Sequence, residues 1–472
     1  MSASLLLTLL VTLAALATSL FFLFGAYQLL RGRSENIMVA VKREVARVAE
    51  EVQRVTEEVQ QFTEELGPRL RMLMYGWEFP PFNSGGLGVA CLGLAKGLAG
   101  RNADITFVLP KRLAIESPYA RMAFANIPEV KAHAVNSPLS PYLNTDTYVK
   151  AADGSPLYGN DIVSEALRYG VYGGRLARTE AHDVIYAHDW LSFPAGMEAK
   201  RVSGRPLVAH VHATQFDWAS ERGINQAIYD IEREGMHAAD CVITVSERTK
   251  RTIIERYGVP AGKVAVVHNG IDEATAPTET ETERLGALKA AGYDIVLFLG
   301  RLTMQKGGDY FLEAAKRVLT TRPKTVFVVA GSGDMERQLI EQAAALGIAG
   351  NVLFAGFLRG EDQYEAYRSA DVFVMPSISE PFGITALEAM RIGTPVILSK
   401  QSGVAEVAGS ALQVDFWDTE KMAELIAQVL ADPILRQRLI AEGKQVAEHM
   451  TWDRAAAQVR SILDEVSPVR IP

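Results

Sequence analysis

Residues 5–30 form a predominantly apolar run of 26 positions with no charged side chain. As a helix rising 1.5 Å per residue the run reaches about 39 Å, enough to cross a hydrocarbon layer of roughly 30 Å with some tilt. A cleaved signal peptide is the competing reading, and Ala15-Leu16-Ala17 has the small-residue form of a cleavage site. The residues before the run carry no basic charge, and the run continues through Phe21, Phe22, Leu23 and Phe24; both features favour a retained anchor. Positive charge follows the span at Arg31, Arg33, Lys42, Arg43 and Arg47. The positive-inside rule therefore predicts a single-pass membrane protein whose remaining chain is cytosolic.

The pattern then changes to a 3-4 repeat: Met38, Val41, Val45, Val48, Val52, Val55, Val59, Phe62 and Leu66, ending at Gly67-Pro68. This spacing predicts a helix with one narrow apolar seam. The seam could pair with a second copy over residues 38–66, or pack on its own chain or along the membrane. Glu44, Glu51, Glu58 and Glu65 fill one flanking column, whereas the other offers only Lys42 as a cation, so few interhelical ion pairs would support a dimer.

Beyond Pro68, short β-branched runs alternate with helical stretches, the pattern of parallel sheets covered on both faces. The first group of expected strands spans residues 72–75, 105–109, 184–187, 207–211 and 242–245. Residues 111–153, proline-rich and without periodicity, read as a long irregular insertion. After an acidic, threonine-rich linker near 278–283, a second group spans 295–299, 326–330, 352–355, 372–375 and 396–398. The expected architecture is α/β, with two Rossmann-like doubly wound domains facing a cleft. The divisions are an anchor (1–33), a heptad helix (34–68), a first domain (69–275), a second domain (276–450) and a closing segment (451–472). Ligands of such sheets bind beyond the carboxyl ends of the strands.

Composition narrows the partners. Lys and Arg number 48 against 56 Asp and Glu, a net charge of -8, which argues against nucleic acid because phosphate backbones need a basic surface. Cys91 and Cys241 lie in unrelated segments, and no His, Cys, Asp or Glu group shows metal-ligand spacing, so neither a disulfide nor a metal is expected. No nucleophile elbow or triad is visible.

Chemistry concentrates at strand ends. Trp77-Glu78-Phe79-Pro80-Pro81-Phe82-Asn83-Ser84-Gly85-Gly86-Leu87-Gly88 joins the first strand to a helix, and its glycines let backbone amides approach a phosphate; ligand-free glycine turns look the same. Gly300-Arg301-Leu302-Thr303-Met304-Gln305-Lys306-Gly307-Gly308 follows the first strand of the second group. Arg301 as a fork and Lys306 as a point charge could reach one diphosphate, or could be a solvated surface pair. Glu380-Pro381-Phe382-Gly383-Ile384-Thr385 opens a short helix bounded by Gly393-Thr394-Pro395, placing Glu380 before the first turn and Glu388 about two turns inside. Glu380 could serve the helix dipole, or touch a ligand bound at the same helix start. His188-Asp189-Trp190 closes another strand, with His210 and His212 at the end of the next; such histidines are more often structural than catalytic.

Together these segments resemble the retaining GT-B glycosyltransferases of the bacterial glycogen/starch synthase-like type, over residues 70–465. The resemblance rests on Trp77 to Pro81 with Gly85 to Gly88, His188-Asp189-Trp190, Asn269-Gly270-Ile271-Asp272, Gly300-Arg301 with Lys306-Gly307, and the Glu380/Glu388 pair. It implies metal-independent transfer of a sugar, glucose in this group, from a UDP- or ADP-sugar to an α-glucan or other carbohydrate acceptor, with retention. It further implies that Arg301 and Lys306 hold the diphosphate with Gly300 and with the amides near Gly383, Thr385, Gly85 and Gly86. Glu380 would stand near the transferred sugar, Glu388 at the ribose and His188 on the sugar, and residues 452–466 would form a helix crossing back onto the first domain. Asn83 departs from the family's lysine two residues before the glycine pair, and the apolar start departs from enzymes acting on soluble glucan. Transfer to a lipid-linked or envelope acceptor, a sugar-nucleotide epimerase, and a catalytically silent membrane scaffold are the other readings.

Overall fold

The computed structural model describes residues 43, 46–55, 69–82, 85–125, 162–218, 223–272 and 283–467. The expected anchor lies outside the described residues, as do most of the heptad seam, Asn83 and the residues after 125 in the insertion. Residues 46–55 are helical, with Val48 and Val55 buried and Val52 half-buried. Among the described residues no helix is long and apolar enough to cross a membrane.

The first sheet contains β1 (Leu70–Tyr75), β2 (Ala103–Leu109), β3 (Arg121–Phe124), β4 (Val184–His188), β5 (Leu207–Val211), β6 (Cys241–Thr244) and β7 (Val264–Val266). Its helices are α1 (Gly86–Ala99), α2 (Ile162–Leu176), α3 (Asp189–Ser203), α4 (Gln226–Ala238) and α5 (Glu247–Tyr257). The second sheet contains β8 (Asp294–Leu299), β9 (Thr325–Ala330), β10 (Val352–Gly356), β11 (Val372–Met375), β12 (Val396–Ser399) and β13 (Leu412–Val414). Around it lie α6 (Glu283–Ala290), α7 (Gly308–Thr321), α8 (Glu336–Ala345), α9 (Glu361–Ser369), α10 (Ile384–Ile392), α11 (Thr419–Ala431) and α12 (Pro433–His449), and the chain closes with α13 (Trp452–Val466).

The strand orders are β3-β2-β1-β4-β5-β6-β7 and β10-β9-β8-β11-β12-β13, and the registered pairs are parallel. Parallel strands covered on both faces must be apolar throughout, and β4, β5, β9 and β11 are buried at every position. In each sheet the winding reverses beside the first strand, between β1 and β4 and between β8 and β11. The reversal opens a crevice at the strands' carboxyl ends.

Three strands escape the sequence pattern. β3 falls inside the stretch read as irregular: it is a short edge strand of partly exposed residues, so no apolar alternation marks it. β7 and β13 are three residues long, too short for a period of two to show.

The sheets are joined by polar contacts and by the closing helix. Ser246 caps α5 by accepting from the Thr249 amide, and its hydroxyl donates to the Pro381 carbonyl at 2.7 Å. The Glu406 carboxylate accepts from the Glu247 and Arg248 amides at 2.8 Å each, placing negative charge at the positive end of α5. α13 returns to the first sheet's helices. A Cβ on Gly93 would lie 2.3 Å from the Trp452 indole, and one on Gly97 2.6 Å from the Ala456 Cβ, so both glycines exist to let α13 approach α1.

Candidate active site

The two switch points face one cavity of about 480 Å³. From the first half come the β1–α1 turn and the ends of β4 and β5. The second half contributes the β8–α7 loop, the residues after β10 and the start of α10. Gly85, Gly86, Gly300, Arg301, Lys306, Glu380, Gly383, Thr385 and Glu388 all line it. Segments nearly three hundred residues apart are thereby brought to one hollow.

The start of α10 is open. Gly383 precedes the helix with φ +114° and offers no side-chain cap, so the first-turn amides keep their capacity to bind an anion. A Cβ there would meet Met375 Cε at 2.9 Å and Val404 Cγ1 at 3.0 Å, which excludes any larger residue. Across the cavity Gly86 begins α1, and a Cβ on it would sit 3.9 Å from Ile384 Cδ1. Two helix starts therefore face the same space, each adding partial positive charge.

The charged side chains are held in place. Lys306 Nζ lies 2.5 Å from Glu380 Oε2, with both side chains largely buried at 19% and 9% exposure. Glu380 Oε2 also accepts from the Ser377 hydroxyl at 3.4 Å. The Arg301 guanidinium stacks over Trp218 with Cζ 4.7 Å from the ring centroid, an interaction that aims a cation from the second half using an aromatic of the first. Glu388 Oε2 accepts from Gln363 Nε2 at 2.9 Å and from the Tyr367 hydroxyl at 3.0 Å. Burial pushes its carboxyl above the usual range, against those two bonds. Because α10 begins at Ile384, Glu388 lies about one turn inside, not two.

His188 departs from the sequence expectation. It is fully buried and does not reach the cavity wall, where its neighbours Asp189 and His212 stand instead. Asp189 holds φ +56°, a left-handed conformation that a non-glycine residue adopts only under constraint. The constraint is visible: its Oδ1 accepts from the His212 amide at 2.6 Å and the Ala213 amide at 3.4 Å. Burial raises the Asp189 carboxyl to about 7.

Three histidines without metal-ligand spacing in the sequence are brought together by the fold. His188, His210 and His212 form one cluster whose potential ligand atoms lie within 4.8 Å of one another. No spacing rule reveals it, because the sheet register sets His188 on β4 opposite His210 on β5. Trp218, Gln363 and the Phe357-Arg359 pair also line the cavity without belonging to any sequence motif, and Asp189 lines it from within the His188-Asp189-Trp190 motif, where no role was expected of it. An exposed aromatic or a lone Arg in a loop carries no local signal of its own.

Residues 84–275 match the family described as Glycosyltransferase Family 4, and residues 279–446 match Glycosyl transferases group 1. A glycosyltransferase of uncharacterised specificity from Methanocaldococcus jannaschii is 31% identical over 417 residues, covering 83% of this chain and 97% of that protein. This chain belongs to the glycosyltransferases, with a second half of the group 1 kind. The glycogen synthase of Mycobacterium tuberculosis is 28% identical over 413 residues, covering 83% of this glycosyltransferase and 94% of its own length. Among solved structures, Anabaena HepE in complex with UDP and glucose superposes with a TM-score of 0.66 at 19% identity, covering 84% of this chain and 100% of that one. At that identity the likeness establishes the GT-B fold.

Proposed function

We propose that this glycosyltransferase moves a hexosyl group, glucosyl foremost, from a nucleoside diphosphate sugar to a carbohydrate hydroxyl, retaining the α configuration and needing no metal at the diphosphate. The observation that carries the reading is the convergence of Arg301, Lys306 and the open start of α10 on one cavity. A departing diphosphate is stabilised by preorganised donors and cations, and these groups supply both. Arg301 can grip two phosphate oxygens as a fork, Lys306 neutralises the leaving group, and the amides around Gly383 to Thr385 with those of Gly85 and Gly86 complete the cradle. Glu380 then stands beside the transferred sugar. Glu388 keeps Oε1 free of the two bonds that hold Oε2, which suits a ribose hydroxyl.

An α-glucan acceptor is supported by the similarity to the mycobacterial glycogen synthase. A lipid-linked or envelope acceptor is the second reading, supported by the uncharged run at residues 5–30, which also underlies a single-pass anchor with the catalytic halves in the cytosol. Pairing of two copies remains a reading of the 3-4 apolar repeat at residues 38–66 of the sequence. The test uses full-length protein in detergent with UDP-glucose, ADP-glucose and other nucleotide sugars, following nucleotide release with and without glucan. Donor-specific release that rises with acceptor is expected. A folded protein that neither binds nor cleaves any nucleotide sugar would leave the scaffold reading standing in its place.

A further inference from the structure

We propose that Asp217 and Trp218 are positioning residues for the donor: from the first half they set Arg301 and Glu380 of the second half in place, without themselves holding the diphosphate. This role rests on the transferase reading, which assigns Arg301 to the diphosphate and Glu380 to the sugar. Both residues belong to a short helical turn, Gln215–Trp218, that is fixed to the first half. The Gln215 amide donates to Glu232 Oε1 on α4 at 3.0 Å. Asp217 Oδ2 accepts from the Thr214 amide at 2.8 Å and from the Thr214 hydroxyl at 3.1 Å, and the Asp217 amide donates back to the Thr214 carbonyl at 2.9 Å. Side-chain bonds of this local kind hold the turn in one arrangement.

Two contacts cross the cleft from that turn. Trp218 presents its ring to the Arg301 guanidinium, with Cζ 4.7 Å from the ring centroid. Asp217 Oδ1 accepts from the Ser379 hydroxyl at 2.8 Å, and Ser379 Oγ in turn accepts from Arg248 Nη2 at 3.2 Å. The serine hydroxyl is thus held between a carboxylate and a guanidinium of the first half, a charge-assisted arrangement that fixes the residue next to Glu380. Glu380 is the partner of Lys306 at 2.5 Å, so the turn reaches both cationic arms of the cradle: Arg301 directly, and Lys306 by way of Glu380. Ser379 is 8% exposed and does not line the cavity, so its effect on the donor must pass through its neighbour. Ordinary packing between domains would scatter such contacts, whereas here two chain neighbours deliver them to the two loops that hold the site. Trp218 does line the cavity, and direct stacking on the ligand is the competing account of that residue.

A double-mutant cycle on folded full-length protein in detergent separates the two, with UDP, ADP and GDP as probes. Calorimetry gives nucleotide dissociation constants for wild type, Trp218→Leu, Arg301→Ala and the double variant. Trp218→Leu should weaken binding roughly 2- to 30-fold, the range of one cation–π contact. Trp218→Phe, which keeps an aromatic face, should restore most of the affinity. Added to Arg301→Ala, Trp218→Leu should change the affinity by no more than about 2-fold further. Should Trp218→Leu fail to fold, Trp218→Met takes its place. Ser379→Ala should lower kcat for sugar transfer roughly 10-fold and leave nucleotide affinity within about 2-fold, because Glu380 stands at the sugar. Equal losses from Trp218→Leu with and without Arg301, or wild-type affinity in Trp218→Leu, overturn the role of Trp218. An unchanged kcat in Ser379→Ala overturns that of Asp217. Folded wild type that binds none of the three nucleotides takes down the transferase reading itself and this role with it, an outcome distinct from the other two.

Discussion

Replacing Lys306 by alanine removes a cation that serves two purposes, and the structure allows them to be separated. Lys306 Nζ sits 2.5 Å from Glu380 Oε2. At an effective dielectric of about 20 such a contact is worth on the order of 7 kcal/mol of attraction, most of it offset by the desolvation of both groups. Breaking a buried pair by removing one partner costs roughly 3–5 kcal/mol; with the pair opening onto a cavity, about 2–3 kcal/mol is expected. Catalysis should suffer more. Losing one preorganised donor to a developing oxyanion costs about 10²–10³ in turnover. Urea denaturation and initial rates of nucleotide release measure the two effects. The double variant Lys306→Ala/Glu380→Gln removes the stranded charge, so it should recover most of the stability and none of the activity. Wild-type turnover in Lys306→Ala would refute the assignment of this cation to the diphosphate. A double variant as unstable as the single one would refute the ion-pair account of the stability loss.

Trp452 is 3% exposed and fills the space left by Gly93, so Trp452→Ala should destabilise the protein by about 3–5 kcal/mol, read from denaturant midpoints. Asp189 holds its proton up to about pH 7 in the fold, whereas the unfolded carboxyl releases it near 3.8. Stability should therefore fall as pH rises between those values. Relative to Asp189→Asn, wild type should lose about 2–3 kcal/mol between about pH 5 and pH 7, and a constant difference would show that the carboxyl is ionised in the native state. Deleting residues 1–67 should move the protein from the membrane to the soluble fraction with sugar transfer intact; a truncated protein that still sediments with membranes removes the anchor.

Nine of the ten expected strands lie inside their sheets, where cover on both faces calls for apolar residues, so β8 and β11 each appear as an isolated apolar run; β10, a partly exposed edge strand, was legible from its apolar composition alone. The cations and glycines of the donor cradle were legible for a related reason. They lie at strand-to-helix turns, where winding order guarantees that loops gather at the carboxyl edge. Edge strands such as β3 stayed hidden because half-exposed residues need no distinctive pattern.

What the amino-acid order determined alone is local: where an apolar run lies, where a helix must begin, which turns can hold a phosphate. Only the tertiary structure decided what met across the sheets. Register between β4 and β5 gathered three histidines, withdrew His188 from the cavity and put Asp189 in its place. The return of α13 onto α1, and of Trp218 beneath Arg301, likewise joined residues that no sequence period relates. Side-chain periodicity reports which face of an element is buried, and contacts between elements depend on register and on close approach, which periodicity does not encode.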